Sequence, residues 1–197
     1  GEHRADALVI NPDFAHAMTK LVPNHLRRKW TDAKIEKKKF SCSTFMLYLA
    51  LDKIYPDEPH HHVLFADDYR ANVKDIQGER EVSEDFSVYV RNSSINDPLV
   101  APAGKSGLYI LVPTINTRHG FDWSDHKQGF RDKVLSLIES RTGMKDLRSH
   151  IVDERIITPN DWRDGLDVFM GATFNLAHTL DQMLYLRPHN RMRGYEN

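Results

Sequence analysis

The chain has 197 residues, a formal net charge of −1, and hydrophobic and charged fractions of 40% and 28%, which describe one folded domain, with or without part of a second, and exclude a disordered chain. The balanced charge argues against nucleic acid as a partner, and the single cysteine, Cys42, excludes an internal disulfide and fits a reducing, cytoplasmic setting. The longest apolar run, 45–51, falls far short of the roughly 20 residues that cross a bilayer, so any membrane contact is peripheral.

In chain order, 7–11 (ALVIN) reads as a buried strand closed by the turn Asn11-Pro12-Asp13. Phe14, Met18, Leu21 and Val22 recur at helical spacing up to Pro23. Residues 25–39 carry seven Lys/Arg against two acids. Residues 41–55 hold the strongest strand signal, with Phe45, Leu47, Leu49 and Leu51 on one face and Thr44, Met46, Tyr48 and Ala50 on the other. Both faces are mostly apolar, which predicts a central strand covered on both sides.

Further strands are predicted at 62–66, 86–90, 108–112 and 151–157, the one at 108–112 closed by Pro113. Asp67 or Asp68 is expected to cap a helix carrying Tyr69, Val73 and Ile76 and ending at Gly78. An amphipathic helix over about 124–142 presents Phe130, Val134, Leu137 and Ile138. Thr158-Pro159 marks another helix start. The segment 171–197 reads as loop with a short helix near 177–184. Strands joined by irregular connections or single helices predict an α+β fold, a mainly antiparallel sheet with helices packed on it.

The ten glycines form no G-x-G-x-x-G, no P-loop and no nucleophile elbow. His60, His61 and His62 with Asp67 and Asp68 lack a recognised ligand spacing and read as a polar stretch beside a strand, so no metal is expected. The basic tract lacks interleaved aromatics for nucleic acid. It reads as a solvated face or as an interfacial segment in which Phe14, Met18, Leu21, Leu26 and Trp30 meet lipid beside Arg27, Arg28 and Lys29. Asp67-Asp68, Glu84-Asp85 and Asp161/Asp164 read as caps and loop acids rather than a glycosidase pair. Asn175, His178, Gln182, Arg187, His189, Asn190 and Arg191 form a polar group in a loop-rich segment, a setting typical of functional sites.

Seven short segments in order, 41–49 (SCSTFMLYL), 85–90 (DFSVYV), 97–104 (DPLVAPAG), 108–113 (LYILVP), 158–162 (TPNDW), 171–176 (GATFNL) and 187–191 (RPHNR), resemble the bacterial-type phytoene (carotenoid) desaturase family of amine-oxidase-like flavoproteins. The resemblance implies an FAD-dependent desaturase that introduces double bonds into an isoprenoid polyene by hydride transfer to flavin. It assigns 1–13 to the end of a flavin-domain segment, 14–39 to a connecting helical basic segment, 40–186 to the substrate domain and 187–197 to the run-up to a further flavin-domain segment. FAD is then held mainly by segments absent from this chain, which alone is expected to be inactive.

The same resemblance implies Asp161, His178 and Arg187 for proton handling, and Asn11 and Asp13 near the flavin diphosphate through backbone contacts at the turn. For the polyene it implies Phe45, Leu47, Tyr48, Tyr89, Tyr109, Trp162, Phe169, Phe174 and Met183 as tunnel lining. The partners implied are the polyene and a membrane surface, reached through 14–39. The alternatives are a related carotenoid oxidase, isomerase or saturase, or a non-catalytic lipid- or partner-binding domain on the same scaffold. Apart from any resemblance, apolar strand residues are core more often than ligand lining, and Asp161 suits an early helical position beside a cap.

Overall fold

A computed structural model describes residues 3–6, 8–27, 29–79 and 82–189. Ala7 of the first predicted strand, Arg28 of the basic tract, and residues 190–197, with Asn190 and Arg191, lie outside the described residues.

Five strands, β1 (Ser43–Leu51), β2 (His61–Leu64), β3 (Val88–Asn92), β4 (Ser106–Thr114) and β5 (Ile151–Ile157), form one antiparallel sheet in the order β2-β3-β4-β1-β5. With the helices, this is the α+β fold expected from the sequence. β1 is the longest-paired strand, flanked on both sides, as its dense apolar alternation requires. β4 runs one residue beyond Pro113; its pairing with β3 ends at Leu111, so position 113 needs no donor on that side.

Around the sheet lie α1 (Phe14–His16, continued by a wide turn through Leu21), α2 (Asp32–Glu36), α3 (Tyr69–Lys74), α4 (Lys127–Arg141) and α5 (Pro159–Gly165). Asp68 caps α3 by accepting from the Ala71 amide at 2.9 Å. α5 starts in a capping box: the Asp161 amide donates to Thr158 Oγ1, and the Thr158 amide donates to Asp161 Oδ2 at 2.8 Å.

The main core lies between one sheet face and α4. Phe45, Leu47, Leu49 and Leu51 point into it with Val90, Ile110 and Val112, opposite Phe130, Val134, Leu135 and Ile138. The Phe45 ring lies 4.9 Å from Phe130 and 5.3 Å from Trp123. On α4 the buried stripe uses Leu135 where the periodicity suggested Leu137, which is only partly buried.

A second, smaller core joins the N-terminal segment to 169–176. Phe14 packs edge-on against Trp30 at 5.1 Å and Phe40 against Phe169 at 4.9 Å, around buried Met18, Ile35 and Leu176. The returning chain is tied to 39–41: the Ser41 amide donates to Asn175 O at 2.8 Å, and Gln182 bonds both the amide and the carbonyl of Lys39.

This second core limits which side chains of 14–39 can meet a surface. Phe14, Met18 and Trp30 face protein, and Arg27 is buried and paired with Asp32, so of the proposed lipid-facing residues only Leu21 and Leu26 remain exposed. Two expectations are corrected. Leu8, Val9 and Ile10 are exposed and belong to no strand, because an apolar run becomes a strand only where a neighbour completes its hydrogen bonds. No helix forms over 177–184; single 3-10 turns at Leu180–Gln182 and Leu184–Leu186 replace it, because Gln182 is held by Lys39 and Leu184 takes a positive φ of 51°.

The loop after α5 is backbone-strained, with Asp167, Met170 and Asn175 all at positive φ. Gly171 follows at φ 62°, and a Cβ there would lie 2.4 Å from the Pro159 carbonyl oxygen. Gly171→Ala should therefore lower stability by about 1–3 kcal/mol, read as a shifted denaturant midpoint with an unchanged slope. A neutral result would show that the α5–loop contact is looser than described.

Candidate functional site

The second sheet face is only partly covered, and the antiparallel register determines what it presents. Tyr48 stands opposite Tyr109 on β4 and Arg155 on β5; Tyr109 stands opposite Arg91, and Arg91 opposite His61. The next row runs Val63, Tyr89, Leu111, Met46, Ile157 across all five strands. Thr44, Met46 and Ile157 are buried at the end where α5 lies against β1 and β5 and Trp162 Nε1 donates to the Thr44 carbonyl at 3.0 Å. Beyond that end Tyr48, Tyr89, Tyr109 and Leu111 are half-buried and Ala50 is exposed. The expectation that both faces of β1 are closed therefore holds for one face alone.

The three tyrosines form one aromatic floor. Tyr109 meets Tyr48 edge-on at 5.4 Å and Tyr89 at 6.1 Å. His61 Nδ1 lies 2.7 Å from the Tyr89 hydroxyl, and His60 stacks on His61 at 4.3 Å. Arg91 Nε donates to His60 Nε2 at 3.3 Å, which draws the guanidinium to the rim. Burial, then the neighbouring phenols Tyr48 and Tyr89, push the Tyr109 hydroxyl above its usual range, so it stays neutral. Such a floor suits a long, uncharged, π-rich ligand and offers little to a polar one.

Among the sequence-predicted lining residues, Tyr48, Tyr89 and Tyr109 come together on this floor, with Trp162 at its α5 end. Phe45 and Leu47 point the opposite way and are wholly buried under α4. They are corrected to core, since neighbours on a strand face opposite sides. Phe169 packs in the second core, Phe174 is exposed, and Met183 is half-buried between the two C-terminal turns. Sequence reasoning missed Leu111 and Val63, whose only signal was parity with Tyr109 and with the rest of a short strand.

The polar candidates do not converge. Asp161 is spent in the capping box, and Arg187 Nη1 donates to the Leu176 carbonyl at 3.2 Å. His178 is exposed, and no hydrogen bond or ion pair joins the three among the described residues.

Asn11 is exposed, whereas Asp13 caps α1 by accepting from the His16 amide and also accepts from Asn175 Nδ2, each at 2.9 Å. Burial pushes the Asp13 carboxyl up, against these bonds. A carboxylate with its acceptor sites engaged does not fit a diphosphate through its side chain, and the chain has no glycine cradle. Any approach of Asn11 and Asp13 to a diphosphate is thus left to their backbone, with the rest of a flavin site supplied from elsewhere. No helix among the described residues is long and apolar enough to cross a membrane.

Fold and surface together define an α+β domain that covers one sheet face with a helix and presents an aromatic, apolar strip on the other. No family model matches the chain. It is 50% identical over 196 residues to a 4,4'-diapophytoene desaturase (4,4'-diapolycopene-forming) of Methylomonas sp and 44% identical over 195 residues to an all-trans-zeta-carotene desaturase of Myxococcus xanthus. It is 35% identical over 200 residues to a 4,4'-diapophytoene desaturase (4,4'-diaponeurosporene-forming) of Staphylococcus aureus. These matches take in 98–100% of this chain but 38%, 37% and 39% of the respective relatives, so the chain spans under two fifths of their length. Along its whole length the chain is thus similar to part of proteins named as carotenoid desaturases.

Proposed function

We propose that these residues are the substrate-side part of an FAD-dependent carotenoid desaturase, and that the open tyrosine face is where the polyene lies. The tyrosine floor carries the reading: an uncharged hydrocarbon has no hydrogen-bonding handle, so it must be held by apolar shape and π contacts. The names of the relatives, each a desaturase of a carotenoid or its precursor, support the substrate class.

In the reaction proposed, a saturated carbon flanked by double bonds loses a hydride and its neighbour loses a proton. FAD, when bound, accepts the hydride. The role of this chain is to lay the polyene flat on Tyr48, Tyr89 and Tyr109, to shut out water with Trp162 at the α5 end, and to leave the opposite side open to the cofactor. Proton handling stays with Asp161, His178 and Arg187 as the resemblance assigns it; Asp161 also shapes α5, and Arg187 also braces the Leu176 turn.

The domain assignment goes with this reading: 1–13 closes a flavin-domain segment, 14–39 connects, 40–186 is the substrate domain, and 187–197 leads back. The protein is proposed to work at a membrane surface. Segment 14–39 would contribute exposed Lys20, Lys29, Lys34 and Lys37 there, since most of its apolar side chains are engaged in the second core.

The test is the full-length protein incubated with FAD and phytoene. The expected result is growth of longer-wavelength polyene absorption bands; an unchanged spectrum with saturating flavin overturns the desaturase reading.

A further inference from the structure

Among the described residues, Tyr89 is the floor tyrosine whose hydroxyl is hydrogen-bonded to an imidazole. His61 Nδ1 lies 2.7 Å from its Oη, and the two rings are nearly parallel, 17° apart with centroids at 6.0 Å. His61 opens the edge strand β2, and the register sets it opposite Arg91 on β3. The Tyr89 ring is half-buried in the floor, whereas His61 is exposed. Val63, next on the same face of β2, is 48% exposed, so this end of the floor is open. The Tyr89–His61 pair therefore runs from the aromatic floor to bulk water at the sheet edge.

The protons of this cluster follow from its one fixed charge. A guanidinium has no acceptor, so Arg91 Nε donates to His60 Nε2 at 3.3 Å, and His60 carries its own proton on Nδ1, facing the Asn96 side-chain amide. Burial, then His61 and Arg91, hold His60 below its usual range, so it is neutral. His60 in turn stacks on His61 at 4.3 Å and 21°, which fixes the plane of the His61 ring. A phenol is a stronger acid than a neutral imidazole, so the Tyr89 hydroxyl donates to His61 Nδ1, and His61 keeps its proton on Nε2.

We infer that Tyr89 and His61 form a proton exit built into the floor, with Tyr89 touching the reacting carbon and His61 as the base behind it. The inference rests on the polyene reading of the tyrosine face. It adds a path beside Asp161, His178 and Arg187, none of which bonds a floor tyrosine among the described residues. As the hydride leaves one carbon for FAD, positive charge spreads over the flanking double bonds, and the C–H bond on the neighbouring carbon becomes strongly acidic. A weak base then suffices. That C–H bond breaks, its electron pair becomes the new C=C bond, and its proton passes to Tyr89 Oη. In the same step the Tyr89 O–H bond breaks and its proton passes to His61 Nδ1. The phenol ends neutral and the imidazole ends as imidazolium. Because His61 is exposed, the imidazolium gives its extra proton to water and the pair is reset.

The experiment uses the full-length protein with FAD and detergent-dispersed phytoene. Tyr89→Phe and His61→Ala should each slow desaturation about tenfold or more, and the double variant should be no slower than the slower single one, because the two act as a unit. Binding of detergent-dispersed phytoene should stay at the unaltered level in both. Free imidazole in the medium should restore part of the rate to His61→Ala and none to Tyr89→Phe. In the unaltered flavin-free protein, imidazole nitrogen NMR should show Nδ1 of His61 unprotonated, and Tyr89→Phe should shift that signal.

An unchanged rate in either single variant, a fully additive double variant, or no imidazole rescue of His61→Ala overturns the inference. So does a proton on Nδ1 of His61 in the flavin-free protein. Weakened phytoene binding in both single variants overturns it too, since the pair would then shape the floor rather than carry a proton. Failure of the unaltered protein to bind or desaturate phytoene is a separate result. It overturns the polyene reading itself, and the proton path with it.

Discussion

Phe45→Ala is expected to lower the stability of the protein by about 3–5 kcal/mol. The side chain is fully buried, and its ring bridges β1 to Trp123 and to Phe130 on α4. Removing it opens a cavity between two rigid layers that cannot collapse onto each other, so the lost burial and the lost contacts add. Tyr48 lies three residues further along the same strand and faces the other way, half-exposed. Tyr48→Leu should shift stability by less than about 1 kcal/mol. Chemical denaturation of both variants checks the pair. Equal losses would mean that the helix-covered and open faces have been interchanged.

The second large effect concerns the ligand. Tyr109→Leu should weaken polyene binding about tenfold, close to 1.4 kcal/mol, because the central ring of the floor touches both of its aromatic neighbours and any ligand laid across them. Tyr109→Phe should bind like the unaltered protein, since the ring rather than the hydroxyl makes the contact. Burial holds the phenol neutral, so the affinity should also stay level between about pH 6 and 9. Absorbance titration of the full-length protein with detergent-dispersed phytoene reads all three. A Tyr109→Phe loss as large as that of Tyr109→Leu would move the role from the ring to the hydroxyl.

Several elements were legible before any coordinates. β1, β5 and α4 follow from alternation or periodicity strong enough to survive any packing. The capping box at Thr158 and Asp161 is a local signal, closed within four residues. The capping explanation offered for Asp161 describes what its carboxylate does. Other segments depended on distant chain. Residues 8–10 have a strand's composition but no described neighbour to pair with. The turns at 180–186 follow the bond between Gln182 and Lys39, 143 residues apart. Phe14, Met18 and Trp30 look as amphipathic as any interfacial helix, and only the return of 169–176 shows that they are already covered.

By itself the sequence determined that Phe45 and Tyr48 stand on opposite faces of one strand, that the strand is central, and that its neighbourhood is aromatic, because strand geometry alternates side chains whatever the context. It also carried short segments that resemble the carotenoid desaturase family, in line with the relatives found along the whole chain. Only the tertiary structure decided which face α4 closes, that three tyrosines from three strands meet on the other, and that the strip is closed beside Trp162 and open at Val63. Those outcomes depend on register and on helix docking between residues far apart in the chain, and no local pattern encodes either.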